Sequence, residues 1–278
     1  MLNIENEYRD LIIKILKAGK VKKDRTGTGT LSIFGETIRH DMSNGFPMLT
    51  AKKIHFKAVV TELLWILNGR TDLKYLEDNG VKYWRPDYER SGRTDETLGP
   101  VYGKQWRDFN GSDQLKNLVY SISKDPSSRR LMISAWAPHE LHLMVLPPCH
   151  YAFQIYINDG VMDLMWMQRS ADVFLGLPYD IAMYGLLLEM LAKGANLIPG
   201  KLIGQLGDCH LYNNHINQAI EYVERPTTKL PKIELTEGIR KSKKMDAYGT
   251  LLIPSSENIK LINYNPLPAI KAELSVGK

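Results

Sequence analysis

The stretch "RSADVFLGLPYDIAMYG", residues 169 to 185, constrains the fold of this chain more than any other. A strand-like end passes through a Gly/Pro turn into a long apolar helix that continues to about Lys193. A helix apolar over that length belongs in a core. Yet Asp180 stands in its first turn, either as a helix-start carboxylate favoured by the helix dipole or as a group that reads a ligand. A second helix, within "KKIHFKAVVTELLWILNG" and ending at Gly69, is also apolar enough to lie in the core.

Around these two helices the sequence reads as alternating classes of element. Residues 3 to 18 place Tyr8, Leu11, Ile12, Ile15 and Leu16 at helical spacing, with Gly19 as the stop. A Gly/Thr loop then feeds a strand in which Gly35 marks a bulge. Between Gly80 and Gly103 no period is sustained, and long irregular segments inside domains are often functional. "SDQLKNLVYSISKDP" reads as a short helix and "SRRLMISAW" as a strand. "YAFQIYINDGVMDLMWMQ" reads as a hairpin turning at Asn158-Asp159-Gly160. A strand near "KLIGQLGD", a helix ended by Pro226, and late strands near "KLPKIEL" and "NIKLINY" complete the chain. The pattern predicts one α+β domain over residues 1–278, with helices packed on a sheet, and the length can bury a sizeable core.

Composition excludes several function classes. No stretch approaches the roughly 20 uninterrupted apolar residues of a membrane helix, and the first 20 residues are too acidic and broken for a signal peptide. A soluble, cytoplasmic protein is expected. The net charge of +5 is dispersed among acids, which argues against a nucleic-acid footprint and fits anionic small molecules better. Cys149 and Cys209 are the two cysteines, too few for a disulfide framework.

Several motifs bear on chemistry. "TGTG" matches neither nucleotide fingerprint and precedes a strand, but its glycines would let Arg25 fold over an anion. "HELH" at residues 139 to 142 lacks the partners of a zinc set, so no metal is expected. In "PPCHYAF" the proline pair presents Cys149 at the start of a strand. His150 is its neighbour and points to the opposite face, so the two cannot form a direct dyad; a thiolate here needs cationic neighbours. Arg129, Arg130 and Arg169 are the candidates, since guanidinium groups suit phosphate and depress a nearby thiol's pKa.

In order along the chain, "DRTGTGTLSIFG", "ELLWIL", "LGPVYGKQWR", "DPSSRR", "PPCH", "QRSADVFLGLP" and "GDCHLYNNH" resemble the thymidylate synthase family. The resemblance implies a large mixed β-sheet with packed helices, an obligate homodimer through the sheet face, a pyrimidine nucleoside 5′-monophosphate as substrate, and 5,10-methylenetetrahydrofolate as one-carbon donor, with no membrane or nucleic-acid partner. It makes Cys149 the nucleophile that attacks C6, so that C5 becomes a carbon nucleophile and captures the methylene group. Arg25, Arg169 and Ser170, with Arg129 and Arg130 from the partner subunit, would hold the phosphate. His210 and Tyr212 would contact the sugar, and Gln168 and Asp180 would also bind the substrate. Glu62, Tyr102 and His150 would organise the proton-transfer water network. Lys52, Tyr83, Trp84, Asp172, Leu175, Gly176, Tyr179 and Leu274 would line the folate site, Asp172 touching substrate as well.

Departures from that family's pattern refine the expectation. Where it has asparagine in "LPxNIA", this chain has Asp180. Asparagine accepts from uracil N3–H and donates to O4; cytosine reverses both demands, and a protonated carboxyl answers them. That requires a raised pKa in a desolvated pocket. The family's second tryptophan is replaced by Tyr88, and the tail "KAELSVGK" has Glu273 for proline and two further residues. A wetter site is expected, in which water and not hydride completes the product. The leading expectation is therefore a deoxycytidylate, or cytidylate, C5 hydroxymethyltransferase. The alternatives are a dCMP C5-methylase, a thymidylate synthase acting on dUMP, and a non-catalytic nucleotide- or RNA-binding relative. Cys209 reads as core filler.

Overall fold

In the computed structural model, which describes residues 2–242 and 250–276, the chain begins with α1 (Ile4–Ala18), β1 (Lys20–Lys22) and β2 (Thr30–Asp41). Next come α2 (Phe56–Leu67), α3 (Leu73–Asp78), α4 (Arg85–Ser91), α5 (Gly103–Arg107) and α6 (Gln114–Lys124). β3 (Met132–Ser134), β4 (His150–Asn158), β5 (Val161–Asp172), α7 (Leu177–Ala195), β6 (Ile198–Tyr212) and α8 (Ile216–Glu224) follow. The chain closes with β7 (Lys232–Leu235), β8 (Arg240–Lys241), β9 (Leu251–Leu252) and β10 (Ile259–Ile262).

The main sheet has the order β1-β2-β6-β5-β4-β3. β5 and β6 are parallel and the other neighbours antiparallel, so the sheet is mixed, as the resemblance implied. A parallel pair needs a crossover, and the apolar helix α7 supplies it. α7 packs on β5 and β6 from one side and meets α2 on the other. Most of its side chains are consequently buried, from Leu177 to Ala192. Trp166 and Tyr184 stack inside that layer at 5.3 Å. No helix among the described residues is long and apolar enough to cross a membrane.

Local chemistry explains the boundaries. Asn3 caps α1 by accepting the Glu5 N–H at 3.0 Å, and the Gly19 N–H closes it on Ile15. α2 starts later than its apolar pattern suggested: His55 is extended and the Ile54 N–H donates to the Tyr264 hydroxyl at 2.9 Å. The β4–β5 hairpin turns on Asp159 (φ 48°) and Gly160 (φ 77°), two left-handed residues that match the strand twist.

Three expectations need correction. Gly35 is not a bulge. Phe34 pairs Asp208 and Glu36 pairs Leu206 with no residue inserted; Gly35 (φ 83°) kinks the strand in register. The strand expected over "SRRLMISAW" shrinks to β3, at the sheet edge, because only one side of it has a partner. The 80–103 segment holds a helix, α4, which buries Tyr88 alone and so carries no period to read. It is pinned instead by Arg85, which pairs with Glu77 at 2.6 Å and Glu96 at 2.9 Å.

Glu5 on α1 is 2% exposed. Its carboxylate accepts the Thr50 N–H, the Thr50 hydroxyl at 2.7 Å and the Tyr222 hydroxyl at 2.9 Å, tying α1 and α8 to the segment that carries Lys52. Glu5→Ala would strand these buried donors and is expected to cost about 2–4 kcal/mol, read from the denaturant midpoint, since each unpaired buried group costs roughly 1–3 kcal/mol.

Candidate active site

The ends of β2, β5 and β6 and the loop before β4 enclose a cavity of about 440 Å³. Cys149, Arg25, Arg169, Ser170, Asp172, His210 and Tyr212 all line it. Cys149 is held on both sides: its N–H donates to the Tyr102 hydroxyl at 3.0 Å, and its carbonyl accepts the Arg169 N–H at 2.9 Å. The Arg169 guanidinium donates to the Pro148 and Pro147 carbonyls at 2.9 and 2.8 Å. The arginine therefore braces the proline pair that presents the thiol.

The electrostatics at the thiol set burial against the arginines. Burial pushes the Cys149 thiol up to about 11, and Arg169 and Arg25 offset only part of that rise while Asp180 adds to it. Burial thus outweighs this chain's own arginines at the thiol.

Behind the cysteine lies a layer of connected polar groups. The His150 ring stacks on Tyr102 at 4.3 Å and its Nδ1 lies 2.9 Å from the Tyr184 hydroxyl. Burial lowers its pKa to about 3, so this imidazole is neutral at physiological pH. Its Nε2 is 3.9 Å from Asp180 Oδ1. Asp180 Oδ2 accepts from Gln168 Nε2 at 2.8 Å. Gln168 has no freedom to turn: its Oε1 accepts the Trp166 indole N–H at 3.0 Å, and its Nε2 also reaches the Ser170 carbonyl at 3.0 Å. Burial raises Asp180 to about 7, against the Gln168 hydrogen bond, with Glu62 and Asp172 adding to the rise. Glu62, on α2, accepts from the Trp84 indole N–H at 2.9 Å and from the Tyr83 hydroxyl, and burial raises its pKa as well.

On the sugar side, His210 and Tyr212 meet edge to face at 5.2 Å. Asp208 lies 3.4 Å from His210 Nδ1. Its hydrogen bond with His210, helped by Lys22 and Ser32, holds the Asp208 carboxyl well below the usual carboxylate range.

A larger cavity of about 800 Å³ is lined by Lys52, Leu175, Tyr179, Asn214 and residues 269–273. Asp172 shapes its turn by accepting the Phe174 and Leu175 N–H groups at 3.1 and 3.2 Å. Lys52 donates to the Phe174 carbonyl and sits 3.8 Å over its ring. Burial lowers this lysine to about 7, with Asp172 opposing. The C-terminal segment runs beside this cavity, the Glu273 carbonyl lying 2.7 Å from His215 Nε2.

Comparison with known proteins accords with this arrangement. Residues 6–276 match the family described as thymidylate synthase. A thymidylate synthase of Mycoplasma mobile is 42% identical over 295 aligned residues, covering 97% of this chain and 99% of that protein. The chain belongs to the thymidylate synthase family. It is thus a folate-dependent one-carbon transferase, of a family that binds a pyrimidine nucleotide and uses methylenetetrahydrofolate as co-substrate.

Within the thymidylate synthase frame, the expected residues separate into groups. Cys149, Arg25, Arg169, Ser170, Asp172, His210 and Tyr212 share one cavity. Tyr102, His150, Asp180 and Gln168 form the contiguous layer behind it. Trp84 and Tyr83 border that layer through Glu62, and Gly176 starts α7. Arg129 and Arg130 are exposed just before β3, outside the cavity. Leu274 is 42% exposed and outside the lining of the larger cavity; Gly277 and Lys278 of the expected tail lie outside the described residues. Sequence reasoning missed Asp208 and Tyr184. Both had a signal: Asp208 is two residues before His210 on one strand, and Tyr184 is four after Asp180 on one helix.

Proposed function

We propose that this enzyme acts on a cytosine nucleotide, dCMP in preference to CMP, and hydroxymethylates it at C5. The observation that carries the reading is Asp180. A half-protonated carboxyl near neutral pH, fixed by Gln168, offers an acceptor to a 4-amino group and, when protonated, a donor to N3. Uracil presents its O4 acceptor where cytosine presents the amino group, and the ionised carboxyl has no proton to give it.

The roles of the other groups follow from their positions. Arg25, Arg169 and Ser170 would receive the phosphate, with Arg129 and Arg130 supplied by a second copy, which fits their exposure away from this chain's own cavity. A homodimer through the sheet face is supported by the exposed Phe34, Met132 and Tyr156. His210, set by Asp208, would orient the sugar with Tyr212. Cys149 would add to C6 once its proton is lost, and Tyr102, His150 and Glu62 would hold water against the base. The residues around Lys52, Leu175 and Tyr179 fit a large, partly apolar group with anionic ends, and methylenetetrahydrofolate would supply the one-carbon unit there.

Water as the final reactant is supported by Tyr88. It is 4% exposed, its hydroxyl accepts the Glu96 N–H at 2.9 Å and Arg85 lies over its ring at 5.2 Å. It is committed to packing α4 and adds no second indole to the site.

A second reading, conversion of dUMP to dTMP with release of dihydrofolate, is favoured by the Mycoplasma mobile relative, whose name is thymidylate synthase. Incubation with dCMP, CMP or dUMP separates the two when the pyrimidine is identified by mass and dihydrofolate absorbance is followed. The proposed reaction gives a hydroxymethylated cytosine nucleotide and no dihydrofolate. A methylated uracil with dihydrofolate, and untouched dCMP, would establish the second reading. Because the protonated Asp180 is the form that suits cytosine, kcat/KM for dCMP is also expected to fall as pH rises through about 7.

A further inference from the structure

Glu62 differs from the other carboxylates of the site in how its two oxygens are held. The Trp84 indole N–H takes Oε1 at 2.9 Å, and the Tyr83 phenol takes Oε2. Burial and the neighbouring Glu62 push the Tyr83 hydroxyl well above its ordinary range, so it keeps its proton and donates. The residue is 37% exposed, and its ring lies 6.4 Å from Trp84 and 6.4 Å from Tyr179, which immediately precedes Asp180. One side chain thereby links the α2 carboxylate to the start of α7. The resemblance gives Tyr83 a folate-lining part, for which the ring suffices. The hydroxyl has a separate use.

We infer that Tyr83 is a positioning residue for Glu62, its phenol O–H fixing the orientation and proton occupancy of the carboxyl that faces the base-side water. This rests on the role proposed above for Glu62, but not on which base is bound. The groups around Glu62 are Tyr83 and Trp84 from the segment before α4, Tyr102 from the segment before α5, and Tyr179 and Asp180 from α7. The tyrosines are neutral donors at physiological pH. Asp180 adds negative charge when ionised and works in the same direction as burial. Two donors, Tyr83 and Trp84, oppose that rise in the Glu62 pKa. With one donor removed, Glu62 should take up its proton at higher pH.

Tyr83→Phe keeps the ring and deletes the donor. Two readouts test it on the full-length enzyme. The Glu62 carboxyl band, assigned by its loss in Glu62→Gln, is followed in infrared difference titration; its midpoint is expected to move up by about one pH unit in Tyr83→Phe, the scale of a lost hydrogen bond to a charged group. Release of tritium from C5-labelled dCMP and dUMP is followed against pH; its acid limb should move up by the same amount, with the KM for folate unchanged. Tyr83→Ala should raise that KM in addition. C5 loses its hydrogen as a proton in methylation and hydroxymethylation alike, so tritium released from dUMP alone would defeat the cytosine reading and leave this test intact. An infrared midpoint and an acid limb that are the same in Tyr83→Phe and wild type would overturn the inference.

Discussion

Replacing Cys149 by serine is expected to reduce turnover of any pyrimidine nucleotide on the order of 10⁴-fold, about 5.5 kcal/mol at 1.36 kcal/mol per decade. The oxygen is smaller than the sulfur and introduces no clash, and the backbone anchors on Tyr102 and Arg169 are main-chain contacts that the change leaves in place. What alters is the nucleophile. Burial already pushes the thiol up to about 11; a hydroxyl starts several units higher and suffers the same desolvation, so its anion is out of reach at neutral pH. Nucleotide affinity should be kept, because Arg25, Arg169, Ser170, His210 and Tyr212 are unchanged. Calorimetric binding beside single-turnover rates separates the two quantities. Cys209 provides the control: it is wholly buried in β6, and Cys209→Ser should lower stability without touching chemistry. Wild-type turnover by Cys149→Ser would remove the nucleophile from the mechanism and with it the assignment of this cavity.

The contrast between those cysteines shows what the sequence made legible. Cys149 stood out because the proline pair before it and the arginines elsewhere had no comparable counterpart around Cys209. Strongly periodic elements were equally plain: α1 and α7 fall within a residue or two of their expected bounds, because burial of one apolar face, or of nearly all faces, leaves a signature in spacing. α4 escaped notice for the opposite reason. It is held by ion pairs of Arg85 and a single buried tyrosine, which leave no period. Gly35 was read as a bulge because a glycine inside a strand signals a backbone anomaly without saying which; only the register with β6 distinguishes a kink from an insertion. Charge states were least legible. The arginines suggested an acidified thiol, yet desolvation outweighs them, and burial depth is a property of the packed chain. His150 stood in the sequence only as part of a proton-transfer network; its burial beside Tyr102 and Tyr184 is what makes it neutral.

The second large effect concerns selectivity. Asp180→Asn is expected to shift the ratio of kcat/KM for cytosine over uracil nucleotides by on the order of 10²- to 10⁴-fold towards uracil, since an unpaired buried polar group costs roughly 1–3 kcal/mol and two such groups exchange roles. Gln168 makes the direction definite. Its Oε1 is engaged by the Trp166 indole, so its amide NH₂ faces position 180. An asparagine there must turn its carbonyl oxygen towards Gln168 and place its NH₂ where Asp180 Oδ1 now lies. That group donates, which suits uracil O4 and opposes the cytosine amino group. The dependence on pH near 7 should disappear in the variant, because the asparagine cannot ionise. Stability gives an independent check on the same carboxyl. With its folded pKa raised to about 7 from the ordinary 3.8, Asp180 lets the folded state bind more protons than the unfolded one, so its contribution worsens as pH rises from about 4 to 7. Asp180→Asn should therefore melt higher than wild type at pH 8 and much closer to it at pH 4. A variant with unchanged base preference but this altered melting would place the carboxyl in a desolvated pocket while denying it contact with the base.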